Sequence, residues 1–433
     1  MEYVVSPDGL ATNDGTGESP WPLQQLAGMT LQPGDILLLR GGTYFETTEV
    51  TGWKGTTDNP IVVRSFPGEH AILDGATLGE FRSVPNEAWV PLGNGEYRSQ
   101  QKYLRSESSD DRARGSFHER EPYTRLISYS RIQDLRADNQ LFGPLPNDGP
   151  DRDLQGFTPV DGQRRRPWVY MGPGLFHAGP SGPDVLVDGP GPGHIHIRLS
   201  PTDNNVPGFE DYAGLSDPRQ VPLAIWTAHE PTLRLEHCTS VHLVDLTVRH
   251  GTRAVKLDDC TDVRLDHVSV FAGPHGVDFG ERCHGCRLTH CVVEGGLPTW
   301  FFRSDRKDGY LFTANDTIHS NRLGETTLRS LLEGHPSCTN TTIRYCEFVN
   351  GHDLVLFGIA LEFARNWIFN LNDDALFAET LGVTGLRERS RAVPDGDQLR
   401  PRDRRQRSRR LPQPLRPPPA DRGAPPTARQ PGP

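Results

Sequence analysis

His237-Cys238-Thr239-Ser240-Val241-His242-Leu243-Val244-Asp245-Leu246 is matched without a gap by Asp259-Cys260-Thr261-Asp262-Val263-Arg264-Leu265-Asp266-His267-Val268. A third copy reads Arg282-Cys283-His284-Gly285-Cys286-Arg287-Leu288-Thr289-His290-Cys291, and a fourth Ser337-Cys338-Thr339-Asn340-Thr341-Thr342-Ile343-Arg344-Tyr345-Cys346. A looser fifth begins at Phe363 and runs through Ile368 to Leu371. The first three are offset by 22 and 23 residues, a period at which one turn of a stacked β coil gives way to the next. Within each copy the positions of Val241, Leu243 and Leu246 are mostly apolar and those between are mostly polar. That is the period-two pattern of short strands with one buried face. A second apolar run follows: Ala254–Leu257, Gly276–Phe279 and Leu354–Phe357, preceded by Gly251, Gly273 and Gly351, where the chain must turn sharply. Short strands at this period, with no helix between them, predict an all-β parallel β-helix whose coils pair at about 4.8 Å over a stacked interior. An antiparallel sandwich has short strands too, but it predicts no column of like residues at a fixed offset.

Other segments carry the same character. Gly34-Asp35-Ile36-Leu37-Leu38-Leu39-Arg40-Gly41-Gly42-Thr43-Tyr44 and Asn59-Pro60-Ile61-Val62-Val63-Arg64-Ser65-Phe66-Pro67-Gly68 read as further strands closed by turns. Together with the repeats they resemble the right-handed parallel β-helix superfamily, which includes pectate-lyase-like polysaccharide lyases and β-helix glycoside hydrolases. Tyr3-Val4-Val5-Ser6-Pro7-Asp8-Gly9 is similar to the opening strand of such proteins, and Pro22–Met29 to their short N-terminal capping helix. The resemblance covers residues 1–80 and 221–380. It implies a fold and a carbohydrate partner, but no single reaction, because one fold hosts many chemistries.

The expected organisation has four parts. Residues 1–80 form the cap and first coils, 81–220 a β-rich insert, 221–386 the main coils with an excursion at 297–336, and 387–433 a disordered tail. The insert breaks the rhythm with strand-like pieces at Trp168–Met171 and His194–Leu199; it resembles an insert of some β-helix glycoside hydrolases. The tail holds 13 Arg against 5 acidic residues, a net of +8, which leaves −18 on residues 1–386. Rich in Pro and poor in aromatic and β-branched residues, it cannot bury a core. An acidic body lacks the basic face that duplex nucleic acid requires. No apolar stretch approaches the roughly 18–20 residues of a membrane span. The start, Met1-Glu2-Tyr3-Val4-Val5-Ser6-Pro7, shows no signal-peptide pattern, so a cytoplasmic location is expected, with secretion as the alternative if the N-terminus is incomplete.

Stacking decides which residues can act together. Outward side chains one coil apart sit near the roughly 5–5.5 Å that separates the two carboxyl groups of a retaining glycosidase. Asp353 and Asp374, with Asp373 beside it, lie 21 residues apart just before apolar strands, and Asp278 belongs to an earlier coil of the same face. These are the expected catalytic carboxylates. His275 and His352 are expected to bind sugar hydroxyls, with Trp300 and Tyr310 stacking on rings. The bland alternative is that Asp at coil corners satisfies turn backbone. Elimination from a uronic acid would instead need a base and a cation. Lys256 with Arg253, or Arg303, Arg306 and Lys307, meet that need; the alternative pairs Lys256 structurally with Asp278 one coil away.

No cofactor is expected. Asp258, Asp259 and Asp262 are the one grouping suited to calcium, without the spacing of a calcium loop. The seven cysteines invite a zinc reading, but Cys238, Cys260, Cys283 and Cys338 share one repeat column and Cys291 and Cys346 another. That is a ladder of small interior residues, and Cys283 and Cys286, an odd number apart, need not face one side. The expected function is a glycoside hydrolase holding a poly- or oligosaccharide along the outer face of the helix. Its cleft would be walled by the insert and the excursion. The alternatives are a polysaccharide lyase or a non-catalytic glycan-binding β-helix module.

Overall fold

The computed structural model describes residues 1–103, 114–117, 124–128, 132–136, 174–177, 192–199, 216–226, 231–271, 275–295, 331–349, 351, 354–358, 361–369 and 377–379. The chain divides into Met1–Leu386 and Arg387–Pro433, and the tail lies outside the described residues.

Three parallel sheets wind around one core as a right-handed β-helix. The first stacks Glu2–Val5, Ile36–Leu39, Ile61–Ser65, Val241–Val244, Arg264–Asp266, Arg287–Thr289, Thr342–Arg344 and Glu362–Ala364. The second runs from Gly42–Tyr44 through Ala71–Asp74, Leu246–Arg249, Ser269–Phe271, Val292–Glu294 and Glu347–Val349 to Trp367–Phe369. The third stacks Thr48–Thr51, Leu233–Glu236, Arg253–Asp258, His275–Phe279, Leu332–Gly334, Leu354–Phe357 and Phe377–Glu379. Register follows the sequence offset: Leu243 pairs with Leu265, Leu265 with Leu288, and Leu288 with Ile343. All four are buried, so like residues fill one interior column. Leu332–Gly334 is a rung of the third sheet although it falls inside the segment read as an excursion.

The cysteines form the expected ladder. All seven are free and buried, and the residues after four of them bridge in series, Thr239 to Thr261 to His284 to Thr339. Cys283 and Cys286 both face inward in spite of their odd spacing, because Gly285 (φ +66°) turns a corner between them. Most corners carry no glycine. Asp245, His267, His290, Tyr345 and Arg365 occupy one corner column with φ of 51°, 54°, 53°, 57° and 57°. Asp and His tolerate this left-handed conformation better than Tyr and Arg do. Gly251 (φ +70°) is a corner where glycine is required, since a Cβ would stand 2.4 Å from Thr232 Oγ1.

The expected capping helix is a 3₁₀ helix, Leu23–Gly28, whose Leu23 and Leu26 cover the end of the core. The expected β-rich insert is a seven-stranded, mostly antiparallel sheet: Leu223–Trp226, Arg114–Phe117, Thr124–Ser128, Gly174–His177, Gly193–Arg198, Glu96–Tyr103 and Trp89–Gly93. Its own core gathers Phe81, Trp89, Ile195, Ile197, Leu223 and Ile225. Leu223–Trp226 belongs to this sheet and not to the coils. The chain leaves the helix after Asp74 and rejoins it at Leu233, which stacks on Thr48 of the coil it left. Asp74 marks the joint: its buried carboxylate accepts from His250 Nδ1 (2.6 Å), Arg249 Nε (2.7 Å) and the Ala76 amide (2.8 Å). The Trp226 ring lies over His250 at 5.2 Å. Among the described residues no helix is long and apolar enough to cross a membrane.

Candidate functional site

Alternation builds the outer face of the third sheet. In Leu233-Arg234-Leu235-Glu236 the leucines are buried and the charged residues face out. Val255 and Leu257 point inward while Lys256 and Asp258 point outward, and Val277 and Phe279 point inward against Asp278. Leu332 and Glu333 repeat the pattern. The register then lines Glu49, Arg234, Lys256, Asp278, Glu333 and Val355 in one outward column. A cleft of about 550 Å³ opens over this column from Arg234 to Val355, within the usual size of a small-ligand site. Its lining adds Arg253, Glu236, Asp258, Arg282 and His335, and none of it comes from the described residues of the side sheet. Much of the insert expected to wall the cleft lies outside the described residues, whereas the segment read as an excursion contributes Glu333, Gly334, His335 and Pro336 to the lining.

The charges interlock. Asp258 takes Arg234 Nη2 at 3.0 Å and Lys256 Nζ at 3.1 Å on the same oxygen. Gly280 leaves the room for it, since a Cβ there would lie 2.0 Å from Asp258 Oδ1. Asp278 accepts from Arg253 Nε at 2.5 Å. Glu333 Oε2 lies 3.1 Å from Nδ1 of His275, a buried imidazole. Lys256 is thus the register neighbour of Asp278, but its ammonium pairs with Asp258, and Arg253 reaches Asp278 from the side. Burial raises the Asp278 carboxyl above the usual carboxylate range; Arg253 opposes that shift and Glu333 adds to it. A buried carboxyl with a raised pKa, one rung from a second carboxyl in a cleft, marks a candidate functional site.

Of the residues expected from sequence, Asp278, His275 and Lys256 meet on this face. Asp353, Asp373, Asp374, His352, Trp300, Arg303 and Tyr310 lie outside the described residues, as do Arg306 and Lys307. Asp258, Asp259 and Asp262 do not converge as a calcium site would require. Asp258 serves Arg234 and Lys256, Asp259 faces His237 (2.8 Å), and Asp262 faces Arg264 (3.1 Å). Sequence reasoning missed Glu333 and Arg234. The signal was present: Arg234, Lys256 and Asp278 follow one another at 22 residues, and Glu333 stands 22 before Val355.

No family model matches the chain. Locally it is similar to the pectate lyase PEL9 of Emericella nidulans, with 41% identity over 78 residues, 18% of this chain and 19% of that protein. It is also similar to the uncharacterized protein YwoF of Bacillus subtilis (strain 168), with 34% identity over 74 residues, 17% of this chain and 16% of the relative. The matched segments thus span less than a fifth of either relative's length. Among solved structures, XylC in complex with xylose aligns over 88% of this chain and 64% of its own, at TM-score 0.46 and 10% identity. Pectate lyase Pel9A aligns over 84% of this chain and 54% of its own, at TM-score 0.33 and 8% identity. With three parallel sheets, inward columns repeating at the coil period and this local similarity, the chain has the right-handed parallel β-helix of the pectate-lyase-like fold.

Proposed function

We propose that the chain is a carbohydrate-active enzyme, and that it hydrolyses glycosidic bonds on the outer face of the third sheet. The observation that carries this reading is the placement of Asp278 and Glu333 as register partners on adjacent rungs within the cleft. Rung spacing of about 4.8 Å lies close to the carboxyl separation of retaining enzymes and below the roughly 6.5–9.5 Å of inverting ones. In the first step protonated Asp278 gives its proton to the glycosidic oxygen while a Glu333 oxygen bonds to the anomeric carbon and the leaving sugar departs. In the second, the Asp278 carboxylate takes a proton from water, and the hydroxyl displaces Glu333. Between these steps the Arg253 guanidinium balances the charge left on Asp278. The local identity to a pectate lyase supports a sugar substrate.

Elimination is the second reading, favoured by the cations Arg234, Arg253, Lys256 and Arg282 around the same cleft. The two reactions leave different products. Hydrolysis over a broad glycan panel releases reducing ends with retained anomeric configuration by NMR, whereas elimination releases unsaturated, ultraviolet-absorbing ends. Asp278→Asn and Glu333→Gln are expected to abolish hydrolysis. Full hydrolytic activity in both variants removes the pair from the mechanism, unsaturated products replace hydrolysis with elimination, and binding without turnover makes the chain a glycan-binding module.

A further inference from the structure

The corner between the first and second sheets, apart from the cleft, holds a group of side chains that the proposed hydrolysis does not use. Asp266 ends the strand Arg264–Asp266, His267 turns the corner after it, and His290 turns the same corner one coil on. His290 Nδ1 lies 3.0 Å from Asp266 Oδ1, and His267 Nδ1 lies 3.3 Å from Asp266 Oδ2. A ligand atom from each of the three lies within 4.8 Å of the others, the one such grouping of metal-ligating side chains among the described residues. The two imidazoles stack at 4.7 Å with planes 18° apart. Tyr345 stacks on His290 from the next coil at 5.3 Å and 5°, and its hydroxyl accepts from Arg365 Nη1 at 2.8 Å. Thr289 Oγ1 donates to Asp266 Oδ1 at 2.7 Å, holding the carboxylate beside the two Nδ1 atoms.

Corner geometry alone does not account for this composition. The same left-handed position is Asp in one coil, Tyr in another and Arg in a third, so the backbone does not demand histidine. Nor does it demand an acid beside the corner: the register partners of Asp266 are Val244 and Thr289. Two histidines and a carboxylate coincide in this one pair of coils.

We propose that Asp266, His267 and His290 form a binding site for a divalent transition cation of the zinc class. Two imidazole nitrogens and one carboxylate are the donors zinc takes, whereas calcium needs six to eight oxygens and copper(I) prefers sulfur. At bond lengths of about 2.0–2.2 Å the edge of a tetrahedron is roughly 3.3–3.6 Å; His267 Nδ1 lies 3.3 Å from one Asp266 oxygen and His290 Nδ1 3.0 Å from the other. Both Nδ1 atoms already face the one carboxylate, and the stacked Tyr345 ring restrains His290. Three protein donors leave the fourth position to water on the open side of the corner. The site is independent of the cleft and of the reaction proposed there.

Isothermal titration calorimetry of the full chain with zinc chloride at neutral pH tests it. One site per chain with a micromolar dissociation constant is expected, weakened at least tenfold in His267→Asn and His290→Asn and at least a hundredfold in the double variant. Asparagine keeps the left-handed corner accessible, and circular dichroism checks that each variant is folded. Cobalt(II) should give a visible ligand-field spectrum without the near-ultraviolet charge-transfer band of thiolate ligands. Absence of binding to the parent chain, affinity of the double variant within twofold of the parent, or a thiolate band from the cysteines would each overturn the proposal.

Discussion

Asp278→Asn separates chemistry from stability at the candidate site. A positioned general acid contributes about 10²–10⁴ in rate, so losing it raises the barrier by about 3–5 kcal/mol at 1.36 kcal/mol per factor of ten. Stability responds differently, and the sign follows from the direction of the Asp278 shift. Its carboxyl is raised, by burial first and by Glu333 in addition, with Arg253 opposing. Such a group contributes its full stability below the ordinary carboxylate range and loses it as pH rises through the raised folded value. At pH 7 the buried carboxylate is therefore a net cost, and an amide of the same shape removes the charge. Arg253, whose side chain is 29% exposed, can be hydrated when its partner is gone. Asp278→Asn should consequently unfold in urea at pH 7 within ~1 kcal/mol of the parent while hydrolysis falls by at least a hundredfold. A structural anchor would behave in the opposite way: breaking a buried pair costs about 3–5 kcal/mol. A variant that loses that much stability and keeps its turnover refutes the assignment of Asp278 as the acid.

Three other perturbations have definite signs. Gly280→Ala forces a Cβ to within 2.0 Å of Asp258 Oδ1 and 2.8 Å of the Leu257 carbonyl, so it should cost ~1–3 kcal/mol in urea unfolding and raise KM by loosening Arg234 and Lys256. At Asp74 burial opposes ionisation, but His250 and Arg249 more than offset it and hold the carboxylate well below its usual range. That stability is present above about pH 4 and is lost as pH falls through the folded value. Asp74→Asn should therefore cost about 3–5 kcal/mol at pH 7 and flatten the acid limb of thermal melts; an unchanged limb would place acid sensitivity elsewhere. Glu46 is pushed up to about 6 by burial, and its Oε2 finds no hydrogen-bond partner among the described residues. Its contribution is complete below about pH 4.5 and lost as pH rises through about 6, so Glu46→Gln should stabilise by about 1 kcal/mol at pH 8 and leave stability at pH 4 unchanged.

The coils were legible in the sequence because each rung meets the same constraint as the one before it. Cys238, Cys260 and Cys283 occupy one interior column, a column accepts only what stacks, and the repeat prints that rule at every turn. The side sheet prints no period. Glu96–Tyr103 pairs antiparallel with Gly193–Arg198 across about a hundred residues, and nothing local in either strand names the other. Its last strand, Leu223–Trp226, is apolar throughout and reads as a coil strand until its pairing with Arg114–Phe117 is seen. Glu333 was obscured for a related reason. Its rung follows a long interruption, yet its 55-residue distance from Asp278 equals that from Arg282 to Ser337 in the repeats already aligned.

Register alone also misassigned a partner, and the reason bears on where chemistry can reside in this fold. Lys256 stands directly across from Asp278, but long side chains reach diagonally, so Lys256 turns to Asp258 and Arg253 crosses to Asp278. Inward positions leave no such choice, because a misplaced group there breaks the stack or buries an unpaired charge. Outward positions are held by ion pairs that can exchange partners at small cost. The interior is consequently uniform and readable, whereas the outer column from Glu49 to Val355 varies freely in sign and size along the same backbone. In that column Asp278 and Glu333 are two acids on neighbouring rungs, an arrangement that alternating charges would avoid if stability were the sole constraint. Burial is the main cause of the raised Asp278 carboxyl, and Glu333 adds to it, because like charges on adjacent rungs raise the energy of the ionised pair. Two cations, Arg234 and Lys256, and then two acids, Asp278 and Glu333, stand on successive rungs of this column, and the acid pair is the part that the proposed hydrolysis uses.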